Sequence, residues 1–183
     1  STTGGSRSTS WSSASGAGLL PLADLPIDRA RSVFSAVRGW PEVRKPAVFV
    51  ADRDALLREL LAEQDLEMPP EQRRAQNLSL NMLGLVDENF DWDKVMLEAL
   101  VDNLSGVYLT TKRVILLRAQ LDQAASELTL RHELMHAAQD DLYGLGRKVR
   151  YADGRGDAIA AVHTLAEGEA LALELELDTP LTS

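Results

Sequence analysis

The sequence has no cysteine, only three histidines and 5% aromatic residues in 183 positions. Without cysteine there is no disulfide framework and no thiolate nucleophile, and any metal ion must be held by histidine and carboxylate. The same absence is compatible with an oxidising or a reducing compartment. Cationic charge is also scarce: 19 Lys and Arg stand against 28 Asp and Glu, a net charge of −9. Nucleic acid and anionic membrane surfaces need clustered basic residues, so neither is expected as a main partner. Solubility alone accounts for the acidic surplus. Long apolar runs are missing too. A membrane-spanning helix takes about 18–20 consecutive apolar residues. The richest tract, 158–177, is interrupted by His163, Glu167, Glu169, Glu174 and Glu176, so no membrane span is expected.

What is present suits one globular domain: at 45% hydrophobic residues the chain can bury a sizeable core. Residues 1–18 are mostly Ser, Gly and Thr with almost nothing to bury, and read as a flexible linker. Residues 19–26 read as a Pro-containing connector. The expected organisation is a tail and connector over 1–26 and a single domain over 27–183. A chain that begins on Ser1 is expected to be a processed product or an excised piece. The Ser/Gly tether and the missing cysteine lean towards the exported or cell-envelope fraction of a bacterium, with the cytoplasm also compatible.

Periodicity and punctuation predict the elements. Ile27, Ala30, Val33, Phe34 and Val37 share one face of a helix over 28–38, and Ala47–Ala51 is a short buried strand. Further helices are predicted from Asp52 or Asp54 to about Gln64, from Pro69-Pro70 to Leu83 with Gly84 as the stop, and from Asp91 or Asp93 to about Asn103. Residues 106–110 and 114–118 flank Thr111-Lys112-Arg113 as a hairpin. It is either plain core or an edge that takes an extended peptide by strand addition. Asp122 and Gly144 bracket a long helix as caps. The glycine-rich stretch 144–156, with Arg147, Lys148, Arg150 and Arg155, reads as a loop that could wall a cleft or lie solvated. Asp157 is expected to cap a last helix over 158–177.

Inside the 122–143 helix lies Arg131-His132-Glu133-Leu134-Met135-His136-Ala137. Histidines four apart sit on one helix face, one turn apart. Two neutral imidazoles can hold zinc, and an adjacent carboxylate can take a proton from an activated water: this is HExxH. The bland alternative is a histidine pair covering an apolar face. A third protein ligand is needed. The pattern HExxHxxGxxH would put Gly at 139 and His at 142, where this chain has Gln139 and Leu142. Glu167 on the last helix is the best candidate, because an acid on an Ala/Leu-rich face is costly unless paired or metal-bound. Gly168 beside it would let two helices approach closely, while Glu169 points about 200° away. His163 shares a face with Glu167. It could be the third ligand instead, a donor to a reacting oxyanion, or a partly buried helix histidine. Asp140 and Glu174 could orient the ligand imidazoles, and Tyr108, Tyr143 or Tyr151 could stabilise an oxyanion. Spacing does not choose among these.

His132-Glu133-x-x-His136 followed by Glu167 resembles the gluzincins, the thermolysin-like zinc peptidases. The hairpin, His132 to Asp140 (His-Glu-Leu-x-His-Ala-x-Gln-Asp) and Ala166 to Ala170 (Ala-Glu-Gly-Glu-Ala) together look like uncharacterised bacterial metallopeptidases. The likeness covers about 47–177, with its specific motifs in 106–170. It implies a zincin-like α+β fold, mostly helical, with a small β-sheet or hairpin beside the HExxH helix. It also implies one Zn²⁺ per chain on His132, His136 and Glu167, and a peptide or protein substrate. Thermolysin-like enzymes carry Asn before the ligand Glu and a supporting Asp four residues after it; here those places hold Ala166 and Leu171. The large C-terminal domain of thermolysin has no counterpart. The expected function is a zinc-dependent endopeptidase with Glu133 as general base, assisted by His163. The alternative is a catalytically inactive zinc-binding or pseudo-peptidase module acting in partner binding, against which the intact Glu133 speaks.

Overall fold

A computed structural model describes residues 19–21 and 27–178. The tail expected over 1–18 lies outside the described residues. In chain order these form β1 (Leu19–Pro21), α1 (Ile27–Arg38), β2 (Ala47–Ala51), α2 (Arg53–Glu67), α3 (Pro70–Met82), α4 (Trp92–Asn103), β3 (Gly106–Leu109), β4 (Val114–Arg118), α5 (Gln123–Tyr143), α6 (Leu145–Lys148) and α7 (Gly156–Asp178). The fold is α+β and mostly helical, with one small sheet.

The sheet order is β1-β2-β4-β3. β2 and β4 run parallel, Ala47 opposite Val114 and Ala51 opposite Arg118, while β1–β2 and β3–β4 are antiparallel. A parallel pair needs a crossover, and α2, α3 and α4 lie within it. Side chains alternate across the sheet, as a period of two requires. Val48, Tyr108, Ile115 and Leu117 join Phe34 of α1, Leu134 and Met135 of α5 and Leu173 of α7 in one core. Ala51, Leu109, Val114 and Leu116 face α2 and α4 in the other. β4 is thereby buried on both faces, which explains its unbroken Val-Ile-Leu-Leu.

α5 is the element that this arrangement fixes most firmly. The Asp122 carboxylate accepts from the Ala125 N–H at 2.8 Å, and Gly144 closes the helix in the left-handed region at φ 69°. Leu130, Leu134 and Met135 are buried against the sheet, each removing apolar surface worth about 1.5–3 kcal/mol. The approach is close at Gly106. A Cβ there would lie 2.6 Å from Thr129 Cγ2, so only glycine lets α5 sit this near β3.

The structure departs from expectation in three places. Leu19–Pro21, read as connector, pairs with β2; Pro21 is tolerated because β1 is an edge strand. The loop over 144–156 contains the single turn α6. The last helix starts at Gly156, so Asp157 lies in its first turn rather than capping it. No helix among the described residues is long and apolar enough to cross a membrane.

Candidate metal centre

At about 100° per residue, α5 has two faces. Leu130, Leu134, Met135 and Ala138 take the core side, and His132, Glu133, His136 and Gln139 the side towards β3 and α7. α7 packs alongside with Ala166, Ala170 and Leu173 buried. His163, Glu167 and Glu174 form a neighbouring row at spacings of four and seven.

One ligand atom from each of His132, His136 and Glu167 lies within 4.8 Å of the others. The two Nε2 atoms are 3.0 Å apart. Glu167 faces His132 Nε2 with Oε2 at 3.2 Å and His136 Nε2 with Oε1 at 3.3 Å. The outward ring nitrogens are also engaged: His132 Nδ1 lies 2.7 Å from Glu174 Oε1, and His136 Nδ1 2.9 Å from Gln139 Oε1. With both Nδ1 atoms donating outward, two nitrogen lone pairs and a carboxylate converge on one point. Such a concentration of electron-rich atoms is stable only around a cation or shared protons. Two imidazoles and a carboxylate suit a divalent metal of the zinc type, with a position left open, and the triad can hold one.

A proton shared between His136 and Glu167 can hold the same atoms together. Glu167 is drawn down to about 2, first by its hydrogen bond with His136, although burial opposes this. Burial pulls His136 down, but its hydrogen bond with Glu167 and the charge of Glu133 outweigh that, and its pKa is raised. Glu133 is only 7% exposed. Burial lifts its pKa against the pull of His136, His132 and a backbone hydrogen bond from Tyr108, so its carboxylate is a stronger base than a free glutamate.

The triad opens into a cleft of about 450 Å³. β3 from Gly106 onward, Leu60, Leu100 and Leu104, and Leu145 and Val149 of the 144–156 stretch line it. β3 has strand β4 on one side only, so its other edge is free of strand pairing among the described residues. The turn after it is pinned from α2: buried Glu63 accepts from Thr110 Oγ1 at 3.1 Å, from the Thr111 N–H at 2.8 Å and from the Thr111 hydroxyl.

Of the residues singled out from sequence, His132, His136 and Glu167 come together, Glu133 lies beside them, and Glu174 holds His132. His163 lines the same cleft, exposed, outside the three converging atoms. Gly168 does not mediate the helix approach: a Cβ there would meet nothing within 4 Å, whereas Ala170 is buried in the core with α5 and the Ala166 carbonyl accepts from Gln139. Asp140 does not hold His136. It accepts from Tyr108 Oη at 3.1 Å and the Gly146 N–H at 2.8 Å, tying β3 to α6. Burial, reinforced by the charge of Asp140, pushes the Tyr108 phenol well above its usual range. Tyr143 packs edge-on against Trp40 at 6.1 Å, and Tyr151 donates to Asp153 at 2.5 Å. Gln139, the actual partner of His136, was missed, although three residues after a helical histidine is the same face. Glu63 left no signal in the sequence.

No family model matches this sequence, and no curated protein or solved structure is similar to it, so the chemistry of the site stands on its own geometry.

Proposed function

We propose that the chain is a zinc-dependent endopeptidase with a zincin-like fold, of the gluzincin type. The observation that carries this reading is the convergence of His132, His136 and Glu167, with both imidazoles held from behind and buried Glu133 next to them. A purely structural metal site has no use for a buried base in that place.

Zn²⁺ held by His132, His136 and Glu167 supplies Lewis acidity, lowering the pKa of a water and polarising a carbonyl. Glu133, made more basic by burial, takes a proton from the attacking water and passes it to the leaving amine. The edge of β3 away from β4, apart from the Tyr108 N–H taken by Glu133, offers backbone groups to an extended substrate strand by β-addition, and the apolar cleft lining takes its side chains. To His163, which lines the cleft, this reading assigns a hydrogen bond to the developing oxyanion. Cleavage within a chain suits the lining. No Lys or Arg among the described cleft residues is there to hold a C-terminal carboxylate, and Glu63 is committed to Thr110 and Thr111 rather than free for an N-terminal amine.

Digestion of a proteome-derived peptide library, read by mass spectrometry, tests the reading. The unaltered zinc-loaded chain is expected to cut internal bonds. Glu133→Gln should keep one zinc per chain and lose activity by about 10²–10⁴-fold, the usual weight of general base catalysis. A fully active Glu133→Gln chain would sink the mechanism. Bound zinc without cleavage by the unaltered chain would favour a binding module.

A further inference from the structure

The two ligand histidines are not held alike. A metal-ligating imidazole usually donates its outer N–H to a carboxylate, a backbone carbonyl or water. His132 does so with Glu174. His136 meets a neutral amide, Gln139, which is 3% exposed. The orientation of that amide is dictated by its other contacts. Its far end lies 3.0 Å from the Ala166 carbonyl and 3.0 Å from Glu169 Oε2. The carbonyl can only accept, so the NH₂ group must face it. Oε1 then faces His136, Nδ1 carries the ring proton, and the Nε2 lone pair is left for the centre. Ala166 directly precedes Glu167. The amide that sets the tautomer of one ligand therefore hangs from the backbone beside another.

We propose that Gln139 is a positioning residue of the metal centre, fixing the tautomer of His136 and tying α5 to α7 at Glu167. An amide is required because one end must accept from the imidazole while the other donates twice to α7. The inference rests on the metal reading above.

The test is zinc affinity of the full chain, measured by competition with a chromophoric chelator, alongside the unfolding midpoint of each metal-free variant. Gln139→Met, of similar shape without the amide, should weaken zinc binding about 10–100-fold, the usual effect of losing such a partner. Gln139→Glu keeps an acceptor for His136 but sets a carboxylate against the Ala166 carbonyl and Glu169, and should also weaken binding. Glu169→Gln alone is the reference for the double variant, since Glu169 meets the Gln139 amide. Added to Gln139→Glu, it should restore part of the loss, because the new amide can donate to the new carboxylate.

Zinc bound as tightly by Gln139→Met as by the unaltered chain overturns the inference alone, as does a Gln139→Glu chain that binds equally well or better. If Gln139→Met does not fold, equal affinities for Gln139→Glu with and without Glu169→Gln overturn it. An unaltered chain that takes up no zinc removes the metal reading and this inference together.

Discussion

Helices α5 and α3 stand at opposite ends of the range of burial in this molecule. α5 is capped at both ends, by Asp122 and Gly144, and is packed against the sheet along Leu130, Leu134 and Met135. α3 has no side-chain cap at Pro69 and buries none of its residues. It is tied by an Arg73–Asp65 ion pair at 2.5 Å and by Asn77 Oδ1, which accepts from the Trp92 N–H at 3.1 Å. Leu78 and Met82 of α3, and Leu83 and Leu85 just beyond it, are exposed. A metal centre demands atoms held to a fraction of an ångström. The difference therefore teaches where such a centre can be built: the three candidate ligands and their supports lie on the best-anchored helix and its neighbour α7, and none on α3.

The sharpest way to break this comparison is a cavity under the ligands. Leu134, 1% exposed, lies between Glu133 and Met135 on the core side of α5. Leu134→Ala is expected to cost about 2–5 kcal/mol in denaturant unfolding of the metal-free chain. A loss below about 1 kcal/mol, at the level of an ordinary surface change, would mean that α5 is not the anchored element.

A smaller effect separates the site from the scaffold. Glu174 Oε1 lies 2.7 Å from His132 Nδ1 at the far end of α7, and Leu171, which stands one turn earlier, is exposed and offers no substitute. Glu174→Ala should lower zinc affinity about 10–100-fold while leaving the secondary structure by circular dichroism unchanged. Unaltered affinity would show that water can replace this carboxylate.

The contrast also marks what the sequence could reveal. Local signals were legible: the caps Asp122 and Gly144, an acid at the start of α2 and of α4 (Asp52 and Asp91 of the two pairs offered), the strand Ala47–Ala51, the hairpin, and the HExxH spacing with Glu167 on the last helix. Each is a short-range regularity with a direct physical cause. Contacts between elements were not legible. Gln139 acquires its role only because α7 presents a backbone carbonyl and Glu169 to it. Glu63 reads as an ordinary helix acid until the turn at Thr110 and Thr111 arrives over it. Gly168 reads as a helix-crossing glycine because it adjoins Glu167, yet the small residue packed against α5 is Ala170. α6 spans four residues, too few for a period to show.

The smallest expected effect is on the other side of the comparison. Leu78→Gln and Met82→Gln, at 58% and 78% exposure, lie four residues apart on the outer face of α3. Each should change stability by no more than about 0.5 kcal/mol, since neither removes a buried contact. Zinc affinity should not move at all, because α3 carries none of the ligands or their supports. The two helices then separate cleanly: Leu134→Ala should lower stability at least about twice as much as both α3 changes combined, and only substitutions on α5 and α7 should change zinc affinity. A loss of more than about 1.5 kcal/mol from Met82→Gln would contradict its exposure, and would mean that the α3 face is covered in solution and is as much a part of the folded assembly as α5.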